Sequence, residues 1–188
     1  GWSATVLKND EDIPEKPGIP GRVAFILDES PFFWFAGDVG NPKKCAEKYS
    51  KDKRYYLTGD TGSVDNNGYY YFSTRDDDVI IMAGYRIGPF EVESALSTHE
   101  AVAECAVIAT PDNVRGEVIE AFVVLMPEAN KSDQLTEELQ RWVKTNFAAH
   151  AYPRHITYVE KLPKTPSGKI QRFVLREQRK SEISRELN

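Results

Sequence analysis

One run of charged residues, Arg75-Asp76-Asp77-Asp78, separates two stretches of this chain whose hydrophobic rhythms differ. Three consecutive carboxylates repel one another and hold water, so no core element runs through them. Before the run, the apolar stretches are short, β-branched or aromatic, and bounded by turn residues. Gly1 to Leu7, Arg22 to Leu27, Tyr55 to Leu57 and Tyr69 to Ser73 read as strands. Asn9 to Pro20 carries Pro14, Pro17 and Pro20 and reads as a loop, because proline fixes φ and lacks an amide donor. Ser30 to Ser50 is mixed and holds the aromatic cluster Phe32, Phe33, Trp34 and Phe35. Asp65-Asn66-Asn67-Gly68 marks a tight turn in which Asn67-Gly68 suits positive φ.

After the run, helices enter. Val79 to Ala83 reads as a short strand, and Gly88-Pro89 opens a helix with Glu91 and Glu93 in its first turn, where the dipole favours them. Val92 and Leu96 share the buried face of that helix. Ala101 to Thr110, Val118 to Met126 and Ile156 to Val159 are strand runs. Leu135, Leu139, Trp142, Val143 and Phe147 form the stripe of an amphipathic helix. Lys164 to Lys169 is a Pro/Ser/Gly loop, and Gln171 to Leu187 a charged terminal helix with a solvated basic face. The pattern predicts a β-rich segment over residues 1–76 and an α+β domain over 77–188, with the boundary near Asp76 to Asp78. The chain opens in strand without Met or a cap, as a piece of a longer chain would.

Composition narrows the class. The 188 residues carry a net charge of -5, which argues against a general nucleic-acid binder. No apolar run approaches the ~20 residues a membrane span needs. Two cysteines, Cys45 and Cys105, make no disulfide scaffold, so a reducing compartment is expected, cytoplasmic or alternatively the mitochondrial matrix. His99, His150 and His155 lack ligand spacing, so no metal site built from protein ligands is expected.

Four short segments could carry chemistry. Asp60, after Tyr56-Leu57-Thr58-Gly59, can accept two hydrogen bonds from a vicinal diol such as a ribose, or can satisfy turn amides. Arg75 to Asp78 is a solvated loop or a hinge. Gly84-Tyr85-Arg86-Ile87-Gly88-Pro89 joins a strand to a helix start, where two glycines admit a ligand and Arg86 can pair with a phosphate; the other reading is a tight structural turn. Lys169, in Lys164-Thr165-Pro166-Ser167-Gly168-Lys169, is a mobile point charge suited to a phosphate or carboxylate, or an ordinary surface lysine.

In this order, Tyr56 to Asp60, Arg75 to Ile80, Gly84 to Glu93 and Pro163 to Arg172 together closely resemble the C-terminal third of the adenylate-forming ligases: acyl-CoA synthetases, luciferase and peptide-synthetase adenylation domains. Gly84 to Glu93 with Pro111 to Val118 is most similar to medium-chain acyl-CoA synthetases. The resemblance implies a small, mobile α+β lid, a short antiparallel sheet with flanking helices, preceded by a β-rich remnant of a large N-terminal domain. It implies a reaction in which a carboxylic acid and ATP give acyl-AMP and pyrophosphate, after which CoA displaces AMP. Carried onto this sequence, Asp60 holds the ribose hydroxyls, Arg75 assists there, and Asp77 is the hinge. Lys169 bridges carboxylate and α-phosphate during adenylation. Gly84, Tyr85 and Arg86 face the CoA channel, and Lys144 meets the CoA nucleotide phosphates. Mg²⁺ comes with ATP. The family's phosphate loop and acyl pocket lie upstream of the matching segment, so the chain alone is expected to be inactive and its main partner to be the missing N-terminal domain. Gly21-Arg22 stands where the family usually has Gly-Glu, and Asp76 replaces a commonly small residue. Two other readings remain: a non-catalytic module that binds a nucleotide or a partner protein, and an adenylating ligase with a different acceptor.

Overall fold

The structure is a computed structural model that describes residues 1–31, 35, 37, 39–112 and 114–186. Phe32, Phe33 and Trp34 of the aromatic cluster, Asn113, and Leu187 at the expected helix end lie outside the described residues. The chain divides into two compact units, Gly1–Asp77 and Asp78–Asn188.

The first unit is a four-stranded antiparallel sheet in the order β1-β2-β3-β4, formed by β1 (Ala4–Leu7), β2 (Gly21–Ile26), β3 (Tyr55–Val64) and β4 (Tyr70–Arg75). A short helix, α1 (Pro42–Ala46), precedes β3, with Asn41 capping it through Lys44 N at 3.0 Å. Its core is small: Leu7, Ala24 and Tyr55, with Ile26 and Leu57 against them. Gly21 is required by close approach, since a Cβ there would lie 2.1 Å from the Leu7 carbonyl oxygen. Arg22, the departure from the family pattern, faces the acidic loop. Its guanidinium donates to Lys8 O, Glu11 O and, at 3.0 Å, to Asp12 Oδ1, so it clips that loop to the sheet. The hairpin turn forms as its composition predicts, with Asp65 Oδ1 accepting the Asn67 and Tyr69 amides at 2.9 Å each. Among the residues of that turn, only Gly68 takes positive φ.

The second unit is mixed α+β. Its sheet has the order β6-β5-β8-β7, with β9 added beside β8. The elements are β5 (Ile80–Met82), β6 (Tyr85–Ile87), α2 (Pro89–Leu96), β7 (Val102–Asp112), β8 (Gly116–Leu125), α3 (Asp133–Asn146), β9 (His155–Tyr158) and α4 (Arg172–Glu186). β9 runs parallel to β8, because the chain returns through α3 rather than through a hairpin. Ser132 caps α3 by accepting Leu135 N at 3.1 Å. The predicted stripe is the buried one at Leu139 and Val143, which join Val92, Leu96, Val107, Ile119 and Ala121 in the main core.

Two local expectations are corrected. Residues 84–89 do not join a strand directly to a helix: 80–82 and 85–87 form a tight hairpin. Ala83 and Gly84 both take positive φ there, as a two-residue turn demands. The terminal helix does not present its basic face to solvent. Arg172, Arg176 and Arg179 recur at i, i+4 and i+7 and reach Glu93, Asp78 and Glu120, all buried or nearly so. Glu120 is fully buried and also accepts Thr110 Oγ1 at 2.7 Å and Thr157 Oγ1 at 3.0 Å. No helix among the described residues is long and apolar enough to cross a membrane.

Candidate functional site

In the first unit the candidate residues meet on a bulge. Leu57 pairs with Ala24 and Thr61 with Arg22, so three β3 residues, Thr58, Gly59 and Asp60, oppose the single Val23. The strand does not end at Leu57, as its composition suggested, but continues to Val64. Thr58 holds the bulge, donating from Oγ1 to Val23 O at 2.9 Å and accepting Asp60 N at 3.1 Å. Gly59 takes φ +81°, which only glycine adopts without strain. A Cβ there would lie 2.9 Å from Nη2 of Arg75. The missing side chain is therefore the seat of the guanidinium.

Seated there, Arg75 donates from Nη1 to Asp60 Oδ1 at 3.0 Å and from Nε to Asp77 Oδ1 at 3.3 Å. Partial burial works to lower the Arg75 pKa, but the charges of Asp77 and Asp60 outweigh it and the value is raised. A groove of about 400 Å³ opens beside this cluster, lined by Lys44, Lys48, Leu57, Gly59, Asp76 and Asp77. Asp60, Arg75 and Asp77 are thus brought together as one charged group.

In the second unit the candidates fall on two separate surfaces. Lys169 closes a turn fixed by its own backbone: Thr165 N donates to Lys169 O at 2.8 Å, and Lys169 N to Thr165 Oγ1 at 3.0 Å. Gly168 takes φ +84°. The base of the turn is anchored by Lys164, whose ammonium meets Glu104 on β7 at 2.7 Å. The Lys169 side chain is exposed and its ammonium makes no ion pair or hydrogen bond among the described residues. Nothing in these contacts links Lys169 to Gly84, Tyr85 or Lys144.

The other surface gathers around the Ala83-Gly84 turn. Glu117 Oε2 accepts Ile81 N at 2.7 Å and Arg115 O accepts Ala83 N at 3.2 Å, stitching the β7–β8 loop to that turn. The Tyr85 ring lies 4.5 Å from His150. Lys144 Nζ and the Arg154 guanidinium each sit 3.9 Å from the Tyr152 ring centroid. Burial, and then the neighbouring charge of Arg115, lower the Arg154 pKa. Arg154 Nε is buried with no hydrogen-bond partner. Asp112 is held below the usual carboxylate range by the amides of Arg115 and Val114. Sequence reasoning missed Arg115, His150, Tyr152 and Arg154. Only Arg115 carried a signal, standing in the Pro111 to Val118 stretch already singled out.

Residues 91–169 match the AMP-binding enzyme C-terminal domain. The chain carries an AMP-binding enzyme C-terminal domain. The chain is 50% identical over 165 residues to human acyl-coenzyme A synthetase ACSM4, mitochondrial, covering 86% of this chain and 28% of the relative. It is 47% identical over 163 residues to mouse acyl-coenzyme A synthetase ACSM3, mitochondrial, covering 85% of this chain and 28% of the relative. The crystal structure of the ATP-bound RpMatB-BxBclM chimera B1 superposes with a TM-score of 0.82 at 33% identity, over 95% of this chain and 34% of that one. The chain therefore spans under a third of the length of the curated relatives it matches. The resemblance read from the four motifs is borne out, and so is the α+β class. Among the described residues of this AMP-binding domain and the sheet before it, no three His, Cys, Asp or Glu gather as a metal site.

Proposed function

We propose that this chain is the C-terminal portion of an AMP-forming acyl-CoA synthetase, acting with a larger preceding domain on a medium- or short-chain carboxylic acid. In the first step a carboxylate oxygen attacks the α-phosphorus of ATP and the P–O bond to pyrophosphate breaks. In the second the CoA thiolate attacks the acyl carbonyl carbon and the C–O bond to AMP breaks. The observation that carries this reading is that the Lys169 turn is tied to Glu104 near the start of β7, whereas the Gly84 turn follows Met82, which pairs with Gly116 opposite Asp112 at the end of β7. A unit with two working surfaces suits two successive reactions.

Lys169 supplies the charge that offsets the developing oxyanions in the first step. The Gly84 turn, with Tyr85, Arg86 and Lys144, takes CoA in the second. Arg115 and Arg154 add cations there. Asp60 takes the ribose diol and Arg75 assists. Mg²⁺ arrives on the phosphates of ATP, held largely by them and by water.

Asp77 is the hinge. Arg75 holds Asp77 within the first unit. Arg172 and Arg176 hold Asp78, the first residue of the second, at 3.4 and 2.5 Å. The hinge so read lies between a loosely held carboxylate, Asp77, and a firmly held one, Asp78. The compartment is mitochondrial rather than cytoplasmic, a reading supported by the names of the relatives.

The test grafts residues 1–188 in place of the equivalent portion of human ACSM4 and measures the two half-reactions separately. Lys169→Ala is expected to lower ATP-dependent adenylation about 10²–10³-fold while preformed acyl-AMP still reacts with CoA. If both half-reactions of a folded, active graft are untouched by Lys169→Ala, the two-surface reading is wrong.

A further inference from the structure

Arg75 is shared, and the sharing has a thermodynamic consequence. One guanidinium, seated on Gly59, faces Asp60 on one edge and Asp77 on another. Asp60 is the diol acceptor and Asp77 the hinge in the reading above, on which this inference rests. Both pairs are substantially exposed, so each is weak, and a weak pair is one that a ligand's hydrogen bonds can rebalance. Two carboxylates drawing on one cation are in competition. Whatever satisfies one of them releases the guanidinium to the other.

We propose that Arg75 is a positioning residue that couples occupancy of Asp60 to the hold on Asp77. A vicinal diol donating to Asp60 takes up its acceptor capacity and weakens its grip on Arg75 Nη1. The guanidinium turns toward Asp77, and the Nε–H bond to Asp77 tightens. Occupied, the ribose site stiffens the residues at the unit boundary; empty, it loosens them. Linkage requires the reverse as well: the charge of Asp77 favours binding of a diol at Asp60, because it accepts the displaced cation. Lys44, Glu47 and Lys48 line the same groove as Asp77.

The readout is direct. Exchange of the Arg75 Nε–H with water, followed by NMR in the intact 188-residue chain, reports the bond to Asp77. Asp60→Asn removes the competing charge without changing shape. It is expected to slow that exchange about two- to fivefold. Asp77→Asn is expected to speed it and to abolish the response to Asp60→Asn in the double variant. Unchanged or faster exchange in Asp60→Asn, with the amide spectrum otherwise native, overturns the coupling. The nucleotide arm separates the coupling from the ribose assignment. AMP slows the exchange and 2′,3′-dideoxy-AMP does not, if the diol is what Asp60 binds. If Asp60→Asn slows exchange while AMP and the dideoxy compound act alike, the shared cation stands and the ribose reading of Asp60 falls.

Discussion

Arg75 and Arg172 each face two carboxylates, and they live in opposite physical regimes. Arg75 is 46% exposed, with Asp60 at 36% and Asp77 at 66%. Arg172 is 20% exposed, with Glu93 at 10% and Asp78 at 9%. Arg75 gives each partner one hydrogen bond. Arg172 grips Glu93 with Nε and Nη2, three contacts between 2.7 and 3.1 Å, and Glu93 also accepts Val107 N at 2.8 Å. The difference teaches that burial, not residue type, decides the role. A desolvated pair with its other acceptors satisfied is a fixture, since neither partner has water to fall back on. A hydrated pair exchanges partners at little cost and suits a place where something must change.

The largest test of that contrast is Arg172→Ala. It leaves Glu93 and Asp78 buried with fewer partners, and the expected loss is about 3–5 kcal/mol from the second unit. Urea unfolding followed at the amides of Ile119 and Leu139 measures it. Cys105 gives a second readout. Burial pushes its thiol up to about 11, so at pH 8 it is protonated and reacts with iodoacetamide only when the core opens. Arg172→Ala is expected to accelerate labelling. Arg172→Met with Glu93→Leu restores part of the loss but not all, because the Val107 amide and Asp78 keep lost partners. If Arg172→Ala costs less than about 1 kcal/mol, the pair behaves like a surface one and the contrast collapses.

Gly59→Ala is the middle test, because it strikes the seat of Arg75 rather than a charge. The φ of +81° costs an L-residue about 1–2 kcal/mol, read as a fall in the urea midpoint of the first unit. The new methyl also displaces Nη2. The Arg75 Nε–H exchange is then expected to lose its response to Asp60→Asn, which a purely backbone effect would leave intact.

The two regimes were also unequally visible in the sequence. Helical spacing assigned Leu139, Val143, Val92 and Leu96 to the core, because burial there follows local periodicity. The break expected at Asp76 to Asp78 rests on three like charges rejecting a core, and the two compact units part between Asp77 and Asp78. The inward face of α4 was not. Arg172, Arg176 and Arg179 look like a solvated stripe until α2 and β8 bring Glu93 and Glu120 under them, a pairing across dozens of residues that no local pattern encodes. The bulge at Thr58 to Asp60 was missed for a related reason. Gly59 signalled irregularity, but only the register against Val23 shows that the strand continues and throws Asp60 outward. Among the candidate residues, single charges at turns stand out in the sequence, whereas Tyr152 and Arg154 come beside Lys144 and Arg115 only in the folded unit.

The smallest expected effect sharpens the comparison most. Asp77→Asn is expected to change the stability of the first unit by less than about 1 kcal/mol, followed at the amides of Leu7 and Ala24. Salt separates the regimes where magnitude alone does not. Between 0.1 M and 1 M the screening length falls from about 10 to about 3 Å. The difference between wild type and Asp77→Asn is expected to vanish over that range, since water and ions reach both partners. The loss in Arg172→Ala is expected to persist, because the stranded carboxylates are shielded from ions by the protein around them. A salt-independent Asp77→Asn effect would mean that Arg75 grips Asp77 as firmly as Arg172 grips Glu93, and a cation so held could not be handed between two sites.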